Sequence, residues 1–409
     1  MKLDLDVLRR IEREYGASFY ILNSKQFRKN YYELQAAFRT IYPDTHIAYS
    51  YKTNYTPILC GIINELGGYA EVVSDMEYGV AKRVGVSPEK IIFNGPYKNT
   101  RAVSDILLSG GIVNIDSVYE LPFIENIAND NREKNIHIGI RCNFDIGDRI
   151  ISRFGIDVNK EEFESILKWV KSKTNVELSM IHCHFAIRKL ESWTCRVRGM
   201  LDLIDRRLGA TPRFINLGGG LFGKMEETLK EQFDTYIPSY QEYAKAVAVD
   251  FAERYQDIDK PKLVIEPGSA LVGDVMKFVT RVISIKEVRG KNIATVLGSV
   301  YNINPTFHDK NPPIRIYHIG ENTPKWFDNL DFGGYTCIES DYLYHGYMGN
   351  IAVGDYVVFS NVGSYSIVLK PPFILPNFAI VDYNDETGNI NIVKDAETFD
   401  NIFSTFKFL

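Results

Sequence analysis

The stretch His46-Ile-Ala-Tyr-Ser-Tyr-Lys-Thr-Asn54 is a short β-patterned run that delivers a lysine, Lys52, just beyond its apolar part. Seven more strand-like segments follow. The eight candidates span 45–51, 69–74, 91–95, 112–116, 136–142, 178–185, 214–217 and 262–266. Most are near-continuous apolar runs, the pattern of parallel strands covered on both faces. Helical stretches such as 57–66, 118–129 and 235–255 separate them. Eight strands alternating with helices over roughly 225 residues predict a (β/α)8 TIM barrel. Lys52 then stands at the C-terminal rim of the first strand, where its amine can condense with a carbonyl cofactor or substrate.

The pattern changes after residue 270. Segments 278–287, 292–299, 355–360 and 377–383 are β-rich and separated by Pro, Gly and Asn. They predict a second, all-β domain. Phe19-Tyr-Ile-Leu-Asn23 precedes the barrel and is positioned to pair into it. The expected organisation is therefore a barrel over 27–270, with 1–26 and 271–409 forming the β-domain.

With 409 residues, 45% hydrophobic and 24% charged, the chain has the make-up of a globular protein large enough for two cores. A net charge of −5 argues against a non-specific nucleic-acid partner. No apolar run reaches the roughly 18 residues of a membrane span. The charged start, Met1-Lys-Leu-Asp-Leu-Asp, lacks the apolar core of a secretory leader. Five cysteines without a CxxC suit a reducing compartment, so a cytoplasmic location is expected.

Catalytic groups of a barrel gather at the C-terminal ends of its strands. The polar residues there are Lys52, Glu71, Ser74, Asn94, Arg141, His182, His184, Gly218-Gly219-Gly220 and Glu266. Each has a plain structural reading on its own: a solvated rim lysine, a hydrogen-bonded core histidine, a tight glycine turn. Together they form an ordered set. His182 and His184 lie two apart, so both leave a strand on one face, a spacing that also suits a metal. The remaining histidines do not fall at other strand ends, and no ligand set is completed, so no metal is expected.

The same landmarks resemble a known family over nearly the whole length. Tyr51-Lys52-x-Asn54, Val73-Ser74 with Glu77, Arg141 followed by Arg153-Phe154-Gly155, His182-Cys183-His184, Gly218-Gly219-Gly220, Glu266-Pro267-Gly268, Cys337-x-x-x-Asp341 and Gly363-Ser364-Tyr365 occur in the order found in fold-type III pyridoxal-phosphate decarboxylases, the ornithine and diaminopimelate decarboxylase group. The resemblance implies pyridoxal 5′-phosphate as cofactor, carried by Lys52. It implies that Glu266 pairs with the pyridinium nitrogen, that His184 stacks on the ring, and that Gly218–Gly220 and Tyr365 meet the phosphate. Glu71 and Arg141 complete the expected cofactor contacts. Cys337 would be the acid that returns a proton to Cα, reaching the active site of a second subunit in a head-to-tail homodimer. Asp341 would meet the distal amine of the substrate. Alanine racemases, which share the barrel, place an arginine at the Glu266 position and lack the Cys-x-x-x-Asp segment.

The departures from the family pattern concern phosphate and substrate. Ala186-Ile187, followed by Arg188, stand where the family has Gly-Ser, and Ser269 replaces the arginine after Glu-Pro-Gly. Arg188 or Ser269 would compensate. Diaminopimelate decarboxylases use that missing arginine and an Arg-Pro-x-x-Tyr segment to hold the distal carboxylate; here the segment reads Asn304-Pro-Thr-Phe-His308. Asp341, Glu339, Asn304 and His308 are then the candidate substrate contacts. The expectation is a decarboxylase of a diamino acid or its conjugate rather than of diaminopimelate. The alternatives are a racemase or a catalytically inactive regulator on the same fold.

Overall fold

The computed structural model describes residues 1–147, 150–256, 260–303, 305–306 and 309–408. The chain forms two compact units. One comprises Lys29–Phe222 with Thr235–Ala270, the other Met1–Arg28, Gly223–Asp234 and Leu271–Leu409. The segment Gly223–Asp234, which lies inside the barrel range expected from sequence, groups with the β-rich unit.

The first unit is a closed parallel barrel of the eight expected strands: Thr45–Ser50, Tyr69–Val72, Ile91–Phe93, Ile112–Ile115, Ile136–Asn143, Val176–His182, Phe214–Asn216 and Lys262–Ile265. Thr45–Ser50 pairs with both Tyr69–Val72 and Lys262–Ile265, and Ile112–Ile115 pairs with Ile136–Asn143, so no edge is left open. The intervening helices carry readable signals. Ser74 caps Asp75–Arg83 by accepting from Glu77 N, and Ser239 and Glu242 form a capping box at Tyr240–Arg254.

The barrel interior is layered by the two-residue period of its strands. Ala48, Tyr69, Ile92, Ile112, Met180, Phe214 and Val264, from seven different strands, form one buried apolar cluster. Two residues further along each of these segments stand Ser50, Glu71, Asn94, Asn114, His182, Asn216 and Glu266. Alternation places each polar residue on the same inward face as its apolar predecessor, one step nearer the C-terminal rim. All seven are buried. On the fifth strand Gly139 leaves room for this layer, since a Cβ there would lie 1.7 Å from Asn114 Oδ1.

The second unit is built on a mixed sheet in which Phe19–Leu22 lies between Met276–Val288, antiparallel, and Ala379–Asn384, parallel. The N-terminal strand thus pairs into the β-rich unit, as the sequence suggests. Strands Ile314–Tyr317, Lys325–Gly333, Tyr342–Ile351 and Asn389–Lys394 extend the sheet and were not apparent from sequence. Lys325–Gly333 is exposed along much of its length, so its alternation is blurred. A helix at Leu5–Tyr15 was also hidden; it sends Leu8 and Ile11 into a core with Phe19, Ile21, Val279, Val358 and Val381. No helix among the described residues is long and apolar enough to cross a membrane.

Candidate active site

The polar layer of the barrel is a continuous hydrogen-bonded network. Lys52 lies in a short 3-10 turn, Tyr51–Thr53, directly after the first strand, which lifts its side chain to the rim. Its Nζ sits 2.5 Å from Oε2 of the fully buried Glu71, an oxygen that also accepts from Ser50 Oγ. Asn94 Nδ2 donates to Glu71 Oε1 at 3.0 Å and to Glu266 Oε1 at 2.9 Å, so one amide bridges two carboxylates. Asn114 Nδ2 fixes that amide by donating to Asn94 Oδ1 at 2.6 Å. Asn216 Nδ2 donates to Glu266 Oε1 at 2.7 Å, while its own Oδ1 accepts from Gly218 N at 2.9 Å.

Glu266 is thereby held as an anion. Burial alone would raise its carboxyl, but His182, whose Nε2 lies 3.2 Å from Oε2, and then Lys52 pull it well below the usual carboxylate range. Glu77, at the start of the helix Asp75–Arg83, goes the other way. Burial, reinforced by the Glu71 charge, pushes Glu77 up to about 7 despite Val73 N–H and Lys52. Glu77 Oε2 accepts from Val73 N at 2.8 Å.

His184 lies two residues beyond the sixth strand's last residue, His182. Its Nδ1 accepts from Gly219 N at 2.8 Å, which leaves any ring proton to Nε2. Burial and the cations Lys52, Arg196 and Arg141 hold its pKa well below the ordinary histidine value, so the ring is a neutral, flat face. The glycine triplet is packed against this histidine and against Glu266. A Cβ on Gly218 would meet Cys183 O at 2.4 Å and one on Gly219 would meet Glu266 O at 2.3 Å; Gly218 and Gly220 also have φ of +70° and +96°. No other residue type fits this concave backbone turn. Arg141 lies 3.6 Å from Asp116 and contacts His184 O at 3.5 Å. The Arg188 guanidinium lies over the Phe222 ring, 5.2 Å from its centroid, and Ser269 begins a short helical turn, Ser269–Val272.

The remaining sequence candidates belong to the β-rich unit. Asp341 is buried and both its oxygens are engaged: Oδ1 accepts from Ser299 Oγ at 2.9 Å and Val300 N at 2.8 Å, and Oδ2 accepts from Thr336 Oγ1 at 2.6 Å and Thr336 N at 3.3 Å. Its observed work is to close the loop 334–341, where Gly334 N also donates to Asp341 O at 2.7 Å. The oxygens of Asp341 thus serve four donors within its own unit. Cys337 and Glu339, on the same loop, are exposed. Tyr365 has a left-handed backbone, φ +65°, next to Gly363, where a Cβ would lie 1.8 Å from Val272 O. Asn304 and His308 lie outside the described residues.

Sequence reading missed Ser50, Asn114 and Asn216 as members of the site, and it missed Arg196. The first three were legible: each stands two residues after an apolar strand residue of the dry layer. Arg196 carried no such signal, because it sits on a helix, at a position that shares the buried face with Trp193, Val197 and Met200.

Comparison with known proteins agrees with this geometry. Residues 28–273 match the family model described as "Pyridoxal-dependent decarboxylase, pyridoxal binding domain". A diaminopimelate decarboxylase of Aquifex aeolicus is 25% identical over 97% of this chain and 93% of its own. An L-glutamyl acyl-carrier-protein decarboxylase of Niallia circulans is likewise 25% identical, over 99% of this chain and 97% of its own. Among solved structures, diaminopimelate decarboxylase from M. jannaschii in complex with L-lysine superposes with a TM-score of 0.85 at 21% identity, covering 98% of this chain and 94% of that one. The residues present fit such a cofactor. Lys52 supplies an amine, Glu266 a carboxylate kept ionised, His184 a neutral ring, and the triplet a backbone concavity that any Cβ would fill. The chain belongs to the pyridoxal-dependent decarboxylases and is a carboxy-lyase whose cofactor is pyridoxal 5′-phosphate.

Proposed function

We propose that this enzyme decarboxylates a diamino acid, or an amino acid whose distal group is conjugated, rather than diaminopimelate. The observation that carries the reading is Ser269, a neutral hydroxyl where the family resemblance expects the arginine for a distal carboxylate. A carboxylate held away from water without a cation is costly. Asp341, and Glu339 as the exposed acid of the same loop, are the carboxylates suited to a distal amine. The Niallia circulans relative, named for an L-glutamyl acyl-carrier protein, supports conjugated amino acids as substrates within this family.

In this reading Lys52 holds the cofactor, Glu266 faces its ring nitrogen, His184 lies against the ring, and Gly218–Gly220 receives the phosphate with Arg188, Ser269 and Tyr365. Arg141 and Glu71 orient these groups through Asp116, Ser50 and Asn94. The bound cofactor supplies an electron sink for the pair released when the Cα–carboxylate bond breaks. Glu266 serves that chemistry by remaining anionic where a protonated ring nitrogen needs a partner. Glu71 holds the Lys52 amine at the rim. Cys337 donates a proton to Cα from the loop 334–341 of a second copy, which makes the working unit a homodimer with shared sites, placed in the cytoplasm.

Side-by-side assays with diaminopimelate, lysine, ornithine, diaminobutyrate and diaminopropionate, reading CO2 release and product mass, test the substrate. A diamino acid, free or acylated on one amine, is expected to outperform diaminopimelate. If diaminopimelate gives the highest kcat/KM of the panel, another cation replaces the missing arginine and the reading fails.

A further inference from the structure

Arg196 is fully buried on the helix Leu190–Leu203, and its guanidinium grips two separate loops. Nη1 donates to Gly219 O at 2.7 Å and Leu217 O at 3.3 Å, in the loop after the seventh strand. Nη2 donates to Phe185 O at 2.7 Å and Ile187 O at 2.8 Å, in the loop after the sixth. Trp193 backs the fork, its ring centroid 4.2 Å from the guanidinium carbon. A rigid planar cation with donors on both sides is the one side chain that can hold four carbonyls in fixed directions.

The consequence lies in the amides on the other side of those carbonyls. In a trans peptide the C=O and the following N–H point opposite ways. Turning the carbonyls of Phe185, Ile187, Leu217 and Gly219 toward Arg196 turns the N–H groups of Ala186, Arg188, Gly218 and Gly220 away from it. The Gly218 N–H goes to Asn216; the other three belong to the two loops where a phosphate would be received. These are also the loops in which the Gly-Ser hydroxyl is lost to Ala186-Ile187. Backbone N–H groups aligned in a concavity, with a buried cation behind them, make an anion site that needs no side-chain hydroxyl.

We propose that Arg196 is the positioning residue for the cofactor phosphate, setting the amides of both loops and supplying the charge that Ser269 does not. The proposal rests on the assignment of Gly218–Gly220 as the phosphate cradle. Apo-enzyme is titrated by absorbance with pyridoxal 5′-phosphate and, separately, with pyridoxal, which lacks the phosphate. Arg196→Gln is expected to weaken pyridoxal-phosphate binding about tenfold or more while pyridoxal binding shifts by less than about twofold. Arg196→Lys keeps the charge but cannot hold four carbonyls, so it should lose about threefold in the same ratio; it decides the matter if the glutamine variant does not fold. Equal weakening of both ligands, or of neither, overturns the proposal. Gly220→Ala is the control for the cradle. If it lowers the ratio and the Arg196 variants do not, Arg196 is only scaffold; if none of them does, the phosphate sits elsewhere.

Discussion

The barrel rim and the loop 334–341 hold their functional side chains in opposite ways. At the rim, Ser50, Lys52, Glu71, Asn94, Asn114, Asn216, His182 and Glu266 are each other's hydrogen-bond partners, and most of their side-chain polar atoms are paired within the layer. In the loop, one buried acid, Asp341, binds the backbone and a neighbouring threonine and serine, while Cys337 and Glu339 are left exposed. A change at the rim strands a buried partner, at a cost of about 1–3 kcal/mol or more. A change at an exposed loop position costs the fold little. The chain keeps the family's chemical groups where substitution is expensive, and its departures from the family pattern, Ser269 and the 304–308 segment, lie outside that network.

The largest test of this contrast mixes two dead proteins. Lys52→Ala and Cys337→Ala should each lose about a hundredfold or more in turnover, the first through the cofactor, the second through proton return to Cα. If the loop of one copy serves the rim of another, co-refolded variants should regain up to about one quarter of wild-type activity, because random pairing gives half the dimers one intact site. Subunit exchange without recovery would place both residues in a single chain's site.

A second test concerns Glu77, at the start of the helix that follows the second strand, whose carboxyl is pushed up to about 7. Its folded-state value lies above the ordinary 4.5, so the stability it contributes is complete below about 4.5 and is lost as pH rises through about 7. Glu77→Gln has no such dependence. The stability of wild type minus that of the variant should fall by up to about 3 kcal/mol between those limits, measured by urea unfolding at a series of pH values. A difference that stays constant with pH would show that Glu77 ionises as it would in water, and that the rim is wetter than its packing implies.

The smallest effect is expected at Arg188. Its guanidinium lies over Phe222 rather than deep in the cradle, so it can add charge near a phosphate without organising the site. Arg188→Ala should weaken cofactor binding by about 1.5–3 kcal/mol if it touches the phosphate. Unchanged affinity would leave Arg188 to the surface or to substrate.

Most of the fold was legible because parallel strands buried on both faces read as apolar runs, and all eight were found on that basis. The strands Lys325–Gly333 and Tyr342–Ile351 escaped because they are half-exposed, so polar residues interrupt their pattern. The helix Leu5–Tyr15 escaped because Asp6, Arg9, Arg10, Glu12 and Arg13 mask the pair Leu8 and Ile11. In the site, residues that differ in chemical type from their surroundings were readable: a lysine at a strand end, a glutamate before Pro-Gly, three glycines. Asn114 and Asn216 look like ordinary polar residues until the two-residue period is followed up each strand. Arg196 is invisible from sequence because helix periodicity assigns its position to the core, and only the structure shows four carbonyls converging there. Asp341 was legible as a family position, but the four donors it gathers from Ser299, Val300 and Thr336 were not, because they are set by tertiary contact.

Lys52, paired with Glu71 at the barrel rim, is the residue proposed to carry the cofactor. Borohydride reduction of the holoenzyme, followed by proteolysis and mass mapping, addresses that directly. The pyridoxyl mass should be found on the peptide containing Lys52 and nowhere else. Finding it instead on another barrel lysine, such as Lys98, whose side chain is 3% exposed and paired with Glu120, would contradict the assignment and with it the site built around it.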